Sequence, residues 1–182
     1  MFDVITLGSA TIDMFVDTGD RLFRQKYEGC VKIPFGSKIL VENLDFDVGG
    51  GGTNTAAVLA MMGYKTAFLG KIGDDHNSEM ITSTLERYNV DCSLIVKEEG
   101  SSDISVILDA EGRDRTILTY KRKNNTLKSS ETDFESLDSR WLFLCTMMGD
   151  SLKTQLKIAG ALKDKGVNIM YNPSSYLIRE GP

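Results

Sequence analysis

The sequence predicts an α/β fold in which a mainly parallel β-sheet is covered by helices and a second, smaller β layer is built from two insertions. Three observations carry this. From residue 54 to 171, short apolar runs alternate with segments of helical length and patterning. Two stretches, at about 31–48 and 103–121, instead alternate apolar and polar residues one by one. Such strands have one wet face and do not belong inside a sheet covered on both sides. The glycine run Gly49 to Gly52 marks the change from one pattern to the other.

In chain order, Phe2 to Leu7 reads as an apolar strand ending at Gly8-Ser9, with Asp13 following inside ATIDMFVD. Val31, Ile33 and Phe35, then Ile39 and Val41, then Leu44, Phe46 and Val48 give the first alternating set. Thr53 or Asn54 can cap a helix over Asn54 to Met62, which is apolar all round and therefore predicted to be buried. Gly63 is its expected stop. Thr66 to Ile72 is a buried strand, and Gly73-Asp74-Asp75 leads into a helix at about 77–88 with Ile81, Leu85 and Tyr88 on one face. Leu94 to Val96 is a short strand. Ile104 to Leu108 and Thr116 to Tyr120 flank a turn at Glu111 to Asp114 and read as a hairpin. Residues 122–139 are polar. Trp141 to Thr146 is a buried strand. Ser151 is expected to cap a helix with the stripe Leu152, Leu156, Ala159 and Leu162, ended by Gly166. Val167 to Tyr171 is the last strand, followed by Asn172-Pro173.

Composition narrows the function. The 182 residues are enough for one core, and 41% hydrophobic with 26% charged residues is ordinary for a globular protein. A net charge of −5 argues against a nucleic-acid partner but not against ATP, which is gripped locally. The start MFDVITLGSATID lacks the basic and apolar regions of a signal peptide. The longest apolar stretch, Ala56 to Met62, is far too short to span a bilayer, so no membrane association is expected. Cys30, Cys92 and Cys145 share no metal-like spacing and suit reduced thiols of a cytoplasmic protein, Cys145 as a buried, inert one. His76, the only histidine, reads as a surface residue with no partner nearby in sequence, and no metal site is predicted.

The segment richest in chemical meaning is Gly49-Gly50-Gly51-Gly52-Thr53-Asn54-Thr55-Ala56, followed by Gly63 and Gly73. Glycines let a ligand approach the backbone, and a helix starting at Asn54 would turn its free amides toward that ligand. A plain glycine-rich turn is the alternative. The phosphate loop of nucleotide hydrolases fails here, because Gly52 is followed by Thr53 and not by Lys. The dinucleotide fingerprint fails too, meeting Asn54 or Thr55 where a third small residue belongs.

These residues resemble the first signature of the ribokinase-like (PfkB) carbohydrate kinases: a glycine pair, an Asn after a short gap, a small residue, then two spaced glycines. Here they are Gly50-Gly51-Gly52, Asn54, Ala56, Gly63 and Gly73. Gly8-Ser9 with Asp13, Gly73-Asp74-Asp75, the hairpin around Glu111-Gly112 and Asn172-Pro173 resemble further family landmarks in the same order. The resemblance implies a ribokinase-like three-layer αβα sandwich, Rossmann-like with a mainly parallel sheet, plus a small β-sheet lid. Residues 1–182 would form part of a kinase domain, with lid strands at about 31–48 and 103–121. It implies transfer of the ATP γ-phosphoryl, with Mg²⁺, to a hydroxyl of a sugar or nucleoside. Asp13 would bind substrate hydroxyls, and Gly49, Gly50, Gly51 and Asn54 would complete that site. The family's Gly-Ala-Gly-Asp-like turn, which carries the general base, is not found here. That base, the adenine site and the Mg²⁺ site are therefore expected beyond residue 182, and the chain alone is expected to be inactive. A non-catalytic sugar-binding module is the alternative, and a nucleotide-dependent oxidoreductase is disfavoured by the glycine spacing. Lids of relatives pair between subunits, which implies a homodimer through the lid. Many sugar-specific relatives carry a carboxylate where this chain has Thr146 and Met147. Lys121, Arg122 and Lys123 read as a solvated basic edge, with contact to an acidic sugar or sugar phosphate as the alternative.

Overall fold

The computed structural model describes residues 1–19, 33–109 and 115–180. The chain divides into two compact units: Met1–Ile12, Val48–Asp103 and Lys121–Pro182 form the first, and Asp13–Asp47 with Ile104–Tyr120 form the second.

The first unit contains a five-stranded sheet. Its strands are β1 (Phe2–Leu7), β4 (Thr66–Gly73), β5 (Ile95–Glu98), β8 (Ser139–Cys145) and β9 (Asn168–Asn172), in the order β5-β4-β1-β8-β9. Every pairing is parallel. The apolar runs read as buried strands lie there: β4 is buried along its whole length, and Ile5, Leu7, Leu69, Leu142 and Leu144 form the core with Ile158 and Leu162. Helices α1 (Gly51–Met61), α2 (His76–Arg87) and α3 (Gly149–Asp164) connect the strands, and α4 (Ser175–Glu180) follows β9. Asp75 caps α2 by accepting the Ser78 N–H at 3.0 Å, and Ile81 and Leu85 are its buried face, with Tyr88 half-buried just beyond its end. Gly63 and Gly166, with φ of 90° and 83°, close α1 and α3 as the sequence predicts.

The second unit holds a four-stranded sheet in the order β3-β2-β6-β7, from β2 (Thr11–Asp17), β3 (Asn43–Gly49), β6 (Ile104–Asp109) and β7 (Thr116–Tyr120). Strands β6 and β7 form the expected antiparallel hairpin, Val106 facing Leu118. Its turn, Glu111 to Asp114, lies outside the described residues, as do Cys30 and Val31.

Five expectations are corrected. Residues 33–42 form no strand; only Asn43–Gly49 of the first alternating set does, and β2, which carries Asp13, was not predicted as a strand. Isolated alternation over three to five residues is too short to fix a strand when turn residues such as Pro34 and Gly36 interrupt it. Helix α1 starts at Gly51, with Gly50 as its N-cap, three residues earlier than Thr53 or Asn54 would place it. It is not buried all round: Gly52, Thr53 and Ala56 pack inward, while Val58 and Met61 are exposed, because nothing among the described residues covers that side. In α3 the N-cap is Met148, and the buried face is Ser151, Thr154, Gln155, Ile158 and Leu162; Leu156 faces solvent. Ser151 is drawn inward because its Oγ accepts the Leu127 N–H at 2.8 Å, which rotates the polar side of the first turn into the core.

Candidate functional site

In the first unit the chain runs from β1 outward to β4 and β5, then returns to the other side of β1 for β8 and β9. The strand order therefore reverses between β1 and β8. In open parallel sheets a crevice forms at that point beyond the carboxyl ends of the strands. A cavity of about 250 Å³ lies there. Ser9 follows β1 and Gly51 opens α1 on one side of it; Cys145, Thr146 and Met147 come from the end of β8. Asn172, Pro173 and Ser174 come from the end of β9, and Lys121, Asn124 and Asn125 from the segment after β7.

Glycine is required where α1 meets β1. A Cβ on Gly52 would lie 2.7 Å from Phe68 Cε2 and 2.8 Å from the Gly8 carbonyl carbon. Gly50 has φ 110°, and a Cβ there would overlap the Ser9 carbonyl oxygen. The helix start is thus pressed against the loop after β1. Its amides are not free, contrary to the sequence expectation: Gly51 N–H donates to Ser9 Oγ at 3.1 Å, and Gly52 N–H to the Ser9 carbonyl at 3.0 Å. Thr53 Oγ1 donates to the Gly49 carbonyl at 2.7 Å.

Gly49, Gly50, Gly51 and Asn54 are gathered at this helix start, and the Asn54 side chain is exposed. Asp13 belongs to the second unit, half-buried on β2. Cys145 is buried, and burial pushes its thiol up while Thr55 Oγ1 at 3.7 Å opposes this, so it stays a neutral thiol. Burial likewise pushes Cys92 up to about 11. Among the described residues, no three His, Cys, Asp or Glu side chains gather where a metal ion could sit. No helix among the described residues is long and apolar enough to cross a membrane.

The segment from Lys121 to Asn125 is held from below by groups that the sequence reading passed over. Asp103, buried, accepts the N–H groups of Arg122 at 2.9 Å, Lys123 at 2.7 Å and Asn124 at 3.2 Å. Asn124 pairs with both polar groups of the Ala10 backbone, its Oδ1 accepting the N–H at 3.0 Å and its Nδ2 donating to the carbonyl at 3.1 Å. The basic run is not uniformly solvated. Lys123 is buried, its Nζ 2.6 Å from Glu98 Oε2 and 2.7 Å from the Glu99 carbonyl. Lys71, wholly buried on β4, pairs with Glu131 Oε1 at 2.7 Å and Glu98 Oε1 at 3.2 Å. An ammonium in the middle of a buried strand requires such partners, so Lys71 within TAFLGKI was the one signal the sequence offered. His76 is exposed but has a partner, Glu79 Oε2 at 3.1 Å, one helical turn along α2. In the Gly73-Asp74-Asp75 segment, Asp75 accepts Ser102 Oγ at 2.6 Å and its N–H at 2.9 Å. Desolvation raises its pKa, but the bonds from Ser102 and Ser78 outweigh this and hold it below the usual carboxylate value.

A parallel sheet with its cavity at the β1/β8 reversal, a glycine-crowded helix start and a second small sheet define an α/β protein of the ribokinase-like fold. The chain matches the pfkB family carbohydrate kinase model over residues 1–175 and belongs to that family. It is 27% identical to a 5-dehydro-2-deoxygluconokinase of Shouchella clausii over 193 aligned residues, covering 98% of this chain and 54% of that protein. It is 30% identical to an uncharacterized sugar kinase of Archaeoglobus fulgidus over 105 residues, covering 55% of this chain and 42% of the relative. The structure of Arabidopsis thaliana ribokinase complexed with ribose and ATP superposes with a TM-score of 0.79 at 21% identity, over 93% of this chain and 53% of that one. The chain spans about half the length of the relatives it matches.

Proposed function

We propose that this chain is the acceptor-binding part of an ATP-dependent, Mg²⁺-requiring carbohydrate kinase. The observation that carries the reading is the cavity at the β1/β8 reversal, bordered by the start of α1. Gly49, Gly50, Gly51 and Asn54 are the proposed acceptor-binding groups of the first unit. In the second unit, Asp13 is the proposed carboxylate that accepts hydrogen bonds from acceptor hydroxyls. A nucleoside acceptor is the second reading within the same family. The general base is proposed to lie outside these 182 residues, because no Gly-Ala-Gly-Asp-like turn occurs in them.

The 182-residue chain is therefore expected to bind a sugar in ligand-observed NMR and to transfer no phosphate from ATP to it. Phosphorylation above a mock preparation would sink the placement of the base; a chain that binds nucleosides and no sugar would select the second reading. Asp13→Ala is expected to weaken sugar binding by about 1.5–3 kcal/mol for each charge-assisted bond lost. An unchanged titration midpoint would remove Asp13 from the site.

A homodimer through the second sheet is also proposed. Leu44 and Phe46 on β3, and Leu118 and Tyr120 on β7, are large apolar residues exposed on that sheet. Light scattering is expected to give twice the chain mass, and Leu44→Asp with Phe46→Asp to give the single mass. A monomer in the unsubstituted chain rejects the dimer.

A further inference from the structure

We infer that the acceptor carries an anionic group, a carboxylate or a phosphate, and that Lys121 is the residue selecting it; this rests on the acceptor-site reading above. Charge is the first ground. Among the described residues, Lys121 is the one cationic residue lining the cavity, and no Asp or Glu lines it. The ends of β8 and β9, which face the same space, carry Thr146 and Asn172, neutral groups that would not repel an anion. Lys121 has no ion-pair partner among the described residues, whereas Lys123, two positions on, is buried and neutralised by Glu98. The three-residue basic run is thus split by the fold into one structural cation, Lys123, one cation at the cavity, Lys121, and an exposed Arg122 that does not line it.

Rigidity is the second ground. The backbone beside Lys121 is fixed by the three N–H bonds to Asp103 and by the double bond pair between Asn124 and Ala10. The Lys121 carbonyl itself accepts Asn125 Nδ2 at 3.1 Å. A cation on an anchored backbone loses less freedom on meeting its ligand than one on a free loop. A carboxylate or phosphate oxygen would accept a charge-assisted bond from the Lys121 ammonium, while a neutral hydroxyl at the same place would gain far less. With no Asp or Glu among the described residues that line the cavity, an exposed lysine there becomes a discriminating group rather than half of a surface ion pair.

The test compares matched probes by NMR titration of the full 182-residue chain: D-gluconate against D-glucitol, and D-fructose 6-phosphate against D-fructose. At least one anionic probe is expected to bind about 10-fold or more tightly than its neutral counterpart. In Lys121→Gln that preference is expected to shrink to within about 2-fold, with the neutral probe unaffected. Lys157→Gln, on the exposed side of α3, is expected to retain the preference. A preference in the first pair alone assigns a sugar acid, and in the second alone a sugar phosphate. Equal binding of anionic and neutral probes, or a preference that survives Lys121→Gln, overturns this inference and leaves the acceptor site standing. Binding of none of the four overturns both.

Discussion

Gly50→Ala is expected to destabilise the chain by roughly 2–6 kcal/mol, combining about 1–3 for a side chain held at a glycine-only backbone angle with about 1–3 for overpacking. Gly50 sits at φ 110° and ψ 139° as the N-cap of α1, and its Cβ position is already filled by the Ser9 carbonyl. The chain cannot relieve the overlap by backing away. Gly51 and Gly52 are bonded to Ser9, and Gly52 is itself wedged against Phe68 and Gly8. Gly63→Ala is the control: its φ is 90°, but nothing lies within 4 Å of its Cβ position, so only the backbone term applies, about 1–3 kcal/mol. Thermal unfolding of the two variants separates the terms. Equal losses would show that the contact with Ser9 is not structural.

Glu131→Ala is expected to cost about 3 kcal/mol, near the lower end for breaking a buried pair. The Lys71 ammonium is fully buried and would keep only Glu98 at 3.2 Å and the Thr126 carbonyl at 3.2 Å. Lys71→Met is expected to cost less, because its two carboxylate partners are partly exposed and can hydrate once the lysine is gone. The order of the two losses, read by urea unfolding, is the discriminating result; a larger loss in Lys71→Met would contradict the burial argument. The same network has a pH signature. Bonds from Lys123 and Lys71 hold Glu98 below its ordinary value of 4.5; in Glu131, desolvation acts upward but the bond from Lys71 prevails, and it too lies below. Because the folded-state values are depressed, the stabilisation is present above about pH 4.5 and is lost as pH falls through the folded values. Wild-type stability is therefore expected to drop below pH 4.5, and more steeply than that of Lys71→Met.

Much of the fold was legible because periodicity reports burial directly. Strands β1, β4 and β8 are runs of apolar residues with turn residues at their ends, and parallel pairing buries most of such runs; β9 shows the same pattern but lies at the sheet edge, where Met170 and Tyr171 are exposed. The α3 stripe was read from hydrophobicity alone and so placed Leu156 inside. The buried Ser151, Thr154 and Gln155 were invisible to that criterion, because each enters the core only by finding a distant partner: Leu127 N–H, the Leu127 carbonyl, and the Leu7 and Cys145 carbonyls. Helix α1 shows the opposite error. Its apolar residues predict burial, yet burial needs a covering surface, and the described residues supply one only over Gly52, Thr53 and Ala56.

By itself, then, the sequence determined the parallel sheet type and the order along the chain of its strands and of α1, α2 and α3, since these depend on local steric and hydrophobic preferences that a short window contains; where α1 begins was decided by its packing on Ser9. Only the tertiary structure decided what the charged residues do. Lys71 and Glu131 are 60 residues apart in sequence, Asp103 and Lys123 are 20 apart, and Ala10 and Asn124 are 114 apart. A charge is tolerated in a core, or left available at a cavity, according to what stands within about 3–4 Å of it. That distance is set by the packing of whole elements. Three adjacent basic residues therefore look alike as a string, yet once the chain has folded Lys123 is a buried counter-ion, Lys121 a cation at a cavity and Arg122 an exposed side chain.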